Sequence, residues 1–215
     1  MTLCQTGFWI KITIKFMDLK KTDSKIEKTK SKDEWSLVEF IKFAIITLIV
    51  VIPIRMYVAQ PFVVNGASMS PTFETGQYLV VDQLTYHLTK PSRGDVIVFR
   101  FPQDTSKFFI KRVVGLPGET IMISGQEVTI NDKDGSEIIL EEPYIKLTKE
   151  SFTETKLADD EYFVMGDNRS ASLDSRIWGP LDEKYIIGRA YLRLLPAKKI
   201  DFLPGEFSFS DENNF

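Results

Sequence analysis

The sequence predicts a mainly β protein, an antiparallel β domain preceded by one N-terminal transmembrane helix. Three features of its 215 residues carry this reading. From residue 61 onward, short apolar runs rich in Val, Ile, Phe and Tyr follow one another: PFVVNG, QYLVVDQL, DVIVFRF, FFIKRVVG, ETIMIS, EVTIN, EYFVMGD and IIGRAYLRLL. Between them GLPGE, NDKDGS, GDNRS and WGP supply the Gly, Pro, Asn and Asp that reverse a chain, which is the pattern of strands joined by turns. The third feature is the apolar stretch Leu37–Ala59, the one place where hydrophobic residues accumulate at helix length.

Residues 1–34 come first. The opening MTLCQTGFWIKITIKF is too short and too interrupted by Lys11 and Lys15 to span a bilayer, and Met17 is read as an alternative start. The following DLKKTDSKIEKTKSKDE is a polar, lysine-rich tail expected to be disordered. Residues 35–59 form the expected anchor. Its charge-free core runs from Phe43 to Ile54, while Glu39, Lys42 and Arg55 sit near the ends, where long side chains reach headgroups. Trp35 and Tyr57 take the interfacial positions favoured by aromatics. The alternative is a buried helix of a soluble protein. No small-residue cleavage site follows the run, so it reads as a retained anchor rather than a removed leader.

Charge sets the orientation. Residues 1–42 hold nine Lys and Arg against six Asp and Glu, no Lys or Arg occurs between Arg55 and Lys90, and the whole chain carries −3. The positive-inside rule then keeps the N-terminus in the cytoplasm of a single-pass protein and puts everything after residue 60 on the outer face of the membrane. The β domain is expected over 60–205, with a polar, frayed C-terminal tail at 206–215.

Composition narrows the chemistry. A pI near 5.4 argues against a nucleic-acid partner. The single Cys4 excludes a disulfide framework and a cysteine-rich zinc site, and the single His87 leaves at most one imidazole for catalysis. No metal or cofactor is expected. Ser68 lies in a turn, GAS before SPT, where small neighbours let another chain approach. A serine needs a base to become a nucleophile. His87 sits in the polar QLTYHLTK, and no G-x-S-x-G elbow is present, so a Ser-His-Asp triad has little to rest on. In FFIKRVVG, strand alternation puts Phe109, Lys111 and Val113 on one face and Arg112 on the other. Apolar surroundings disfavour the charged form of Lys111. To act as a base near neutrality its pKa must fall from roughly 10.4 to about 8, a differential of about 3 kcal/mol. Taken alone, Ser68 also reads as a turn serine and Lys111 as a strand lysine whose head reaches water.

In combination these stretches resemble the type I signal peptidases, serine proteases with a Ser-Lys dyad. VNGASMSPTF resembles the family's serine box, SRGDVIVFRFP its R-G-D strand, FIKRVVGLPGETIMI its lysine box, and YFVMGDNRSASLDSRIWG its G-D-N-R…S-x-D-S-R box. YLVVDQLTY and EEPYI fit as well, and the resemblance covers residues 37–200.

The resemblance implies a membrane-anchored endopeptidase that removes signal peptides from exported preproteins after small residues at −1 and −3. It makes Ser68 the nucleophile and Lys111 the general base, gives Ser172 the task of orienting the lysine amine, and assigns Asp174 and Arg176, with Asp167 and Arg169, to bracing the site. Phe62, Val64, Met69, Phe73, Phe109 and Ile110 match pocket positions, with core packing as the alternative for each. Residues 124–158 look like a shortened form of the family's second subdomain, a small β cap inserted in the catalytic domain. The expected partners are preproteins and the lipid bilayer. One departure stands out: where some members carry a serine two residues before the nucleophile, this chain has Gly66. Two rival readings remain, a cytosolic self-cleaving Ser-Lys repressor-type protease and a catalytically inactive, membrane-tethered β scaffold or binding module.

Overall fold

The structure, a computed structural model, describes residues 37–53, 59–145, 150–207 and 209. They fall into two units, a helix and a β domain. Helix α1 spans Leu37–Pro53, 17 residues. At 1.5 Å per residue that is about 25 Å, against a hydrocarbon core of about 30 Å. Its sequence is apolar nearly all round, and Leu37, Phe40, Phe43, Ile46 and Ile49 are among its exposed side chains. Among the described residues no helix is long and apolar enough to cross a membrane. The flanks of the expected anchor, 35–36 and 54–58, lie outside the described residues, as do the whole of 1–34 and Met17. The far boundary of that anchor is corrected: Ala59 opens a strand, because its backbone pairs with Asp82.

Among the described residues twelve strands follow: β1 (Ala59–Val63), β2 (Tyr78–Asp82), β3 (Val96–Phe101), β4 (Asp104–Gly115), β5 (Thr120–Gly125), β6 (Glu127–Asn131), β7 (Glu137–Ile139), β8 (Ser151–Lys156), β9 (Glu161–Met165), β10 (Leu181–Asp182), β11 (Ile186–Leu195) and β12 (Asp201–Phe202). Two four-residue helices, α2 (Thr85–Leu88) and α3 (Ser175–Trp178), lie between strands. The main sheet runs β1-β2-β11-β3-β4-β9-β10, with β12 against β11, and every pairing in it is antiparallel. A second antiparallel sheet, β7-β6-β5-β8, is inserted between the neighbours β4 and β9. It starts at Thr120 rather than 124, because ETIMIS, the end of the lysine-box resemblance, is its strand β5.

Strand β4 governs the rest. Its first half is exposed and its second half, Phe109–Gly115, is buried on both faces. Ile110 joins Phe62, Val64, Met69, Phe73 and Val98 on one side; Phe109 and Val113 join Ile97, Phe99, Tyr162 and Val164 on the other. Two charged residues, Lys111 and Arg112, sit inside this doubly covered stretch, so each must find polar partners or give up its charge.

The C-terminal segment corrects the expectation of a polar, frayed tail. Phe209 is buried, its ring centroid 4.9 Å from that of Phe207, which in turn packs 5.3 Å from Tyr144. Two phenyl rings bury enough apolar area to outweigh the polar residues around them.

Candidate active site

Ser68 follows β1 in a tight turn in which Ser70 N–H donates to Ala67 O and Phe73 N–H to Met69 O. Met69 and Phe73 drop into the core beneath, which pins the turn against β4. Lys111 projects from the buried half of β4 and is wholly inaccessible. The amine nitrogen lies 2.8 Å from Ser68 Oγ and donates to it, with a second bond of 3.0 Å to Ile110 O. Removed from water, the amine keeps only these two acceptors and the face of the Phe109 ring, 5.3 Å from its centroid. Burial therefore pulls the Lys111 pKa down to about 8, against the opposing pull of the Asp174 and Asp167 carboxylates. The result is a primary amine that can be neutral near physiological pH, in hydrogen-bond contact with a hydroxyl that is itself 2% exposed.

The loop after β9 supports this pair. Asp174 is fully buried and receives Arg176 in a two-pronged contact, Nε to Oδ1 at 2.8 Å and Nη2 to Oδ2 at 2.9 Å, while Gly166 N–H donates to Oδ2 at 3.1 Å. Burial pushes the Asp174 carboxyl up, but the Arg176 hydrogen bond and charge outweigh it and hold the group below the usual range. Asp167 is also buried. Arg112, on the opposite face of β4 from Lys111, grips it through Nε (2.9 Å) and Nη2 (2.7 Å), and Thr72 Oγ1 donates to it at 2.6 Å. Arg169 donates through Nε to Gly166 O at 3.1 Å. Ser172 is buried beside these groups. Its Oγ has no hydrogen-bond partner of good geometry among the described residues, yet it lies close enough to Asp174 to help keep that carboxylate ionised. The described partners of the Lys111 amine are Ser68 Oγ and Ile110 O, not Ser172.

A sequence model of the family described as signal peptidase, peptidase S26, matches residues 37–195. The chain belongs to the signal peptidase family, peptidase S26. Signal peptidase I of Leptolyngbya laminosa is 37% identical over 79% of this chain and 85% of its own, and the probable signal peptidase I-1 of a Synechocystis strain is 37% identical over 81% and 91%. A crystal structure of a signal peptidase I from Enterococcus faecalis is 28% identical and covers 47% of this chain and 97% of its own, with a TM-score of 0.40. As a family member the chain is a serine endopeptidase, and its reaction is the removal of signal peptides from preproteins.

Within this signal peptidase the six pocket candidates are all buried. Phe62, Val64, Met69, Phe73 and Ile110 share one core cluster and are inaccessible, and Phe109, in another, is nearly so. Met69 and Phe73 follow Ser68 in its turn and pack with Phe62, Val64 and Ile110, while Phe109 packs on the other side of β4. His87 is on α2, exposed, with Nδ1 2.8 Å from the carbonyl of Gln83. Gly66 has φ +106, where a side chain is strained, and its N–H and carbonyl both meet Thr75 Oγ1, at 3.0 and 2.9 Å.

Three contributors escape a residue-by-residue reading of the sequence. Arg112 looked like the outward partner of Lys111 but holds Asp167. Asn168 donates its backbone N–H to Ser68 O at 3.0 Å and its Nδ2 to Ala67 O at 3.2 Å. Gly166 leaves room for the nucleophile's backbone: a Cβ there would come within 2.3 Å of Ser172 Oγ and 2.4 Å of Ser68 O. The only sequence signal for them was their membership of the lysine and GDNR stretches.

Proposed function

We propose that this enzyme cuts through a Ser68–Lys111 dyad while tethered to a membrane by the segment around α1. Neutral Lys111 takes the Ser68 proton as Oγ bonds to the scissile carbonyl carbon and the carbonyl π pair moves onto oxygen. With Gly66 in place of a serine, stabilising that oxyanion falls to backbone N–H groups such as that of Ser68. Collapse of the tetrahedral intermediate expels the mature protein's amine, which leaves with the proton from the lysine ammonium. Water then attacks the acyl-enzyme, giving a proton to the Lys111 amine, which passes it to Ser68 Oγ as the ester bond breaks and the signal peptide departs with a new carboxyl terminus. Ser172 sits within the brace around the amine, and Asp167, Arg169, Asp174 and Arg176 keep it aligned.

One observation carries the reading: a wholly buried amine 2.8 Å from a serine hydroxyl, with its pKa drawn down to about 8. The tether is supported by a helix with exposed apolar side chains around its circumference, behind a lysine-rich segment and ahead of a long acidic domain. By the positive-inside rule the N-terminus then stays in the cytoplasm and the catalytic domain lies outside, while the resemblance implies substrates with small −1 and −3 residues.

Incubating the detergent-solubilised protein with a preprotein and reading the cut by mass spectrometry tests this. Ser68→Ala and Lys111→Ala are each expected to lose at least about a thousandfold in rate while keeping their circular dichroism, as removal of a nucleophile or its base does. Near-normal turnover of either variant rules out the dyad.

A further inference from the structure

The segment Glu141–Ile145, EEPYI, leaves the small sheet and runs to the catalytic loop without belonging to a strand. Its Glu142 side chain is 7% exposed and meets Arg169, itself 5% exposed, at 2.5 Å. The hydroxyl of Tyr144 donates to the same Oε1 at 2.6 Å, and its ring lies 4.0 Å beneath the Arg112 guanidinium. A buried ion pair of this kind is a poor source of stability, since desolvation cancels much of the attraction. Its geometric effect is larger. With Nη2 held by Glu142, Arg169 directs Nε at Gly166 O and offers its own carbonyl to Arg176 Nη2 at 2.8 Å. The residue in between, Asn168, carries the nucleophile's backbone through Ser68 O and Ala67 O.

We propose that Glu142 is a positioning residue for the Ser68–Lys111 pair, acting through Arg169 on the 166–169 turn against which the nucleophile rests. The inference rests on the dyad reading above and deepens it. Without the carboxylate, a buried guanidinium loses its counter-ion and moves toward water, taking its Nε away from Gly166 O. The turn relaxes, and Ser68 Oγ shifts relative to the amine. Glu142 touches no reacting atom, so the loss falls on kcat. Displacement of reacting groups by about 1 Å can cost on the order of a hundredfold.

The test uses the full-length protein in detergent and a peptide spanning a signal-peptide cleavage site, with folded fractions matched by thermal melts. Glu142→Gln and Arg169→Lys are each expected to lower kcat by about 10- to 100-fold with KM within about twofold. The double variant is expected to be no worse than the worse single one, because the two residues act as a unit. A Glu142→Gln enzyme with kcat within about twofold of wild type, or losses that multiply in the double variant, overturns the proposal. If Glu142→Gln does not fold, Glu142→Asp takes its place: it keeps the charge but draws the carboxylate back from Arg169, so a lower kcat at constant KM supports the proposal and a full kcat overturns it. Ser68→Ala, run in parallel, separates the two levels. An inactive Ser68→Ala beside a fully active Glu142→Gln removes Glu142 alone, whereas an active Ser68→Ala removes the dyad itself.

Discussion

Lys111 must be buried enough to shed a proton and yet close enough to a hydroxyl to take one. Burial is what lowers its pKa to about 8, and the carboxylates of Asp174 and Asp167 limit the fall. Below that value the amine is protonated and cannot serve as base, so kcat/KM is expected to drop about tenfold per pH unit on the acid side and to level off above about 8. A pH–rate profile flat between about 6 and 9 contradicts this. Stability follows with its own sign. The folded pKa lies below that of the unfolded chain, so the unfolded state binds more protons between about 8 and about 10.4, and stability rises with pH across that window. At pH 7 the native protein carries a buried charge that Lys111→Met removes. That variant is expected to be inactive yet more stable, by up to about 3 kcal/mol in urea unfolding. Unchanged or lower stability means the amine is better solvated than its surroundings imply. At this scale the sequence identified both residues by type, and strand alternation put Lys111 with Phe109 and Val113. Each residue by itself also fits an ordinary turn or a surface strand, because a residue type does not report what lies across from it.

Strand β4 is the element that brings the site together. Its two faces carry two different charged residues, Lys111 toward Ser68 and Arg112 toward Asp167, so one backbone segment supplies both the proposed base and the grip on the loop after β9. The loop after β9 comes in against the Ser68 turn, with Asn168 N–H bonded to Ser68 O and Gly166 leaving no room for a Cβ. Gly166→Ala puts a methyl within 2.4 Å of the backbone carbonyl oxygen of Ser68 and 2.3 Å of Ser172 Oγ, so the backbone must shift. The expected cost is about 1–3 kcal/mol of stability with a matching loss of kcat. Wild-type urea midpoint and turnover in that variant mean the loop has slack that the contacts do not suggest. The GDNR stretch was visible in the sequence as a loop with turn residues. That its glycine is needed for clearance, and not merely for turning, depends on a chain segment about a hundred residues away, and no local pattern encodes that.

The β domain is a main sheet with a smaller sheet inserted between adjacent strands, against which the described C-terminal residues pack. Phe207 and Phe209 seal the junction near Tyr144, on the same segment that carries Glu142. Phe209→Ala is expected to destabilise the domain by about 3 kcal/mol or more, measured by thermal or urea unfolding. A frayed tail, as its polar composition suggested, costs nothing when truncated, and that result would contradict the packing.

The sequence by itself determined the mainly antiparallel β character, through strand-length apolar runs and the turn residues between them, and its motifs matched one family over most of the chain. These features are local, and local sterics and hydrophobic periodicity are written residue by residue. Tertiary structure alone decided that residues 43 positions apart, Ser68 and Lys111, share a hydrogen bond. It also placed six apolar residues in two buried clusters and packed two C-terminal phenylalanines against the domain. Desolvation, clearance and pairing depend on which distant segments meet, and that is fixed only when the whole chain packs.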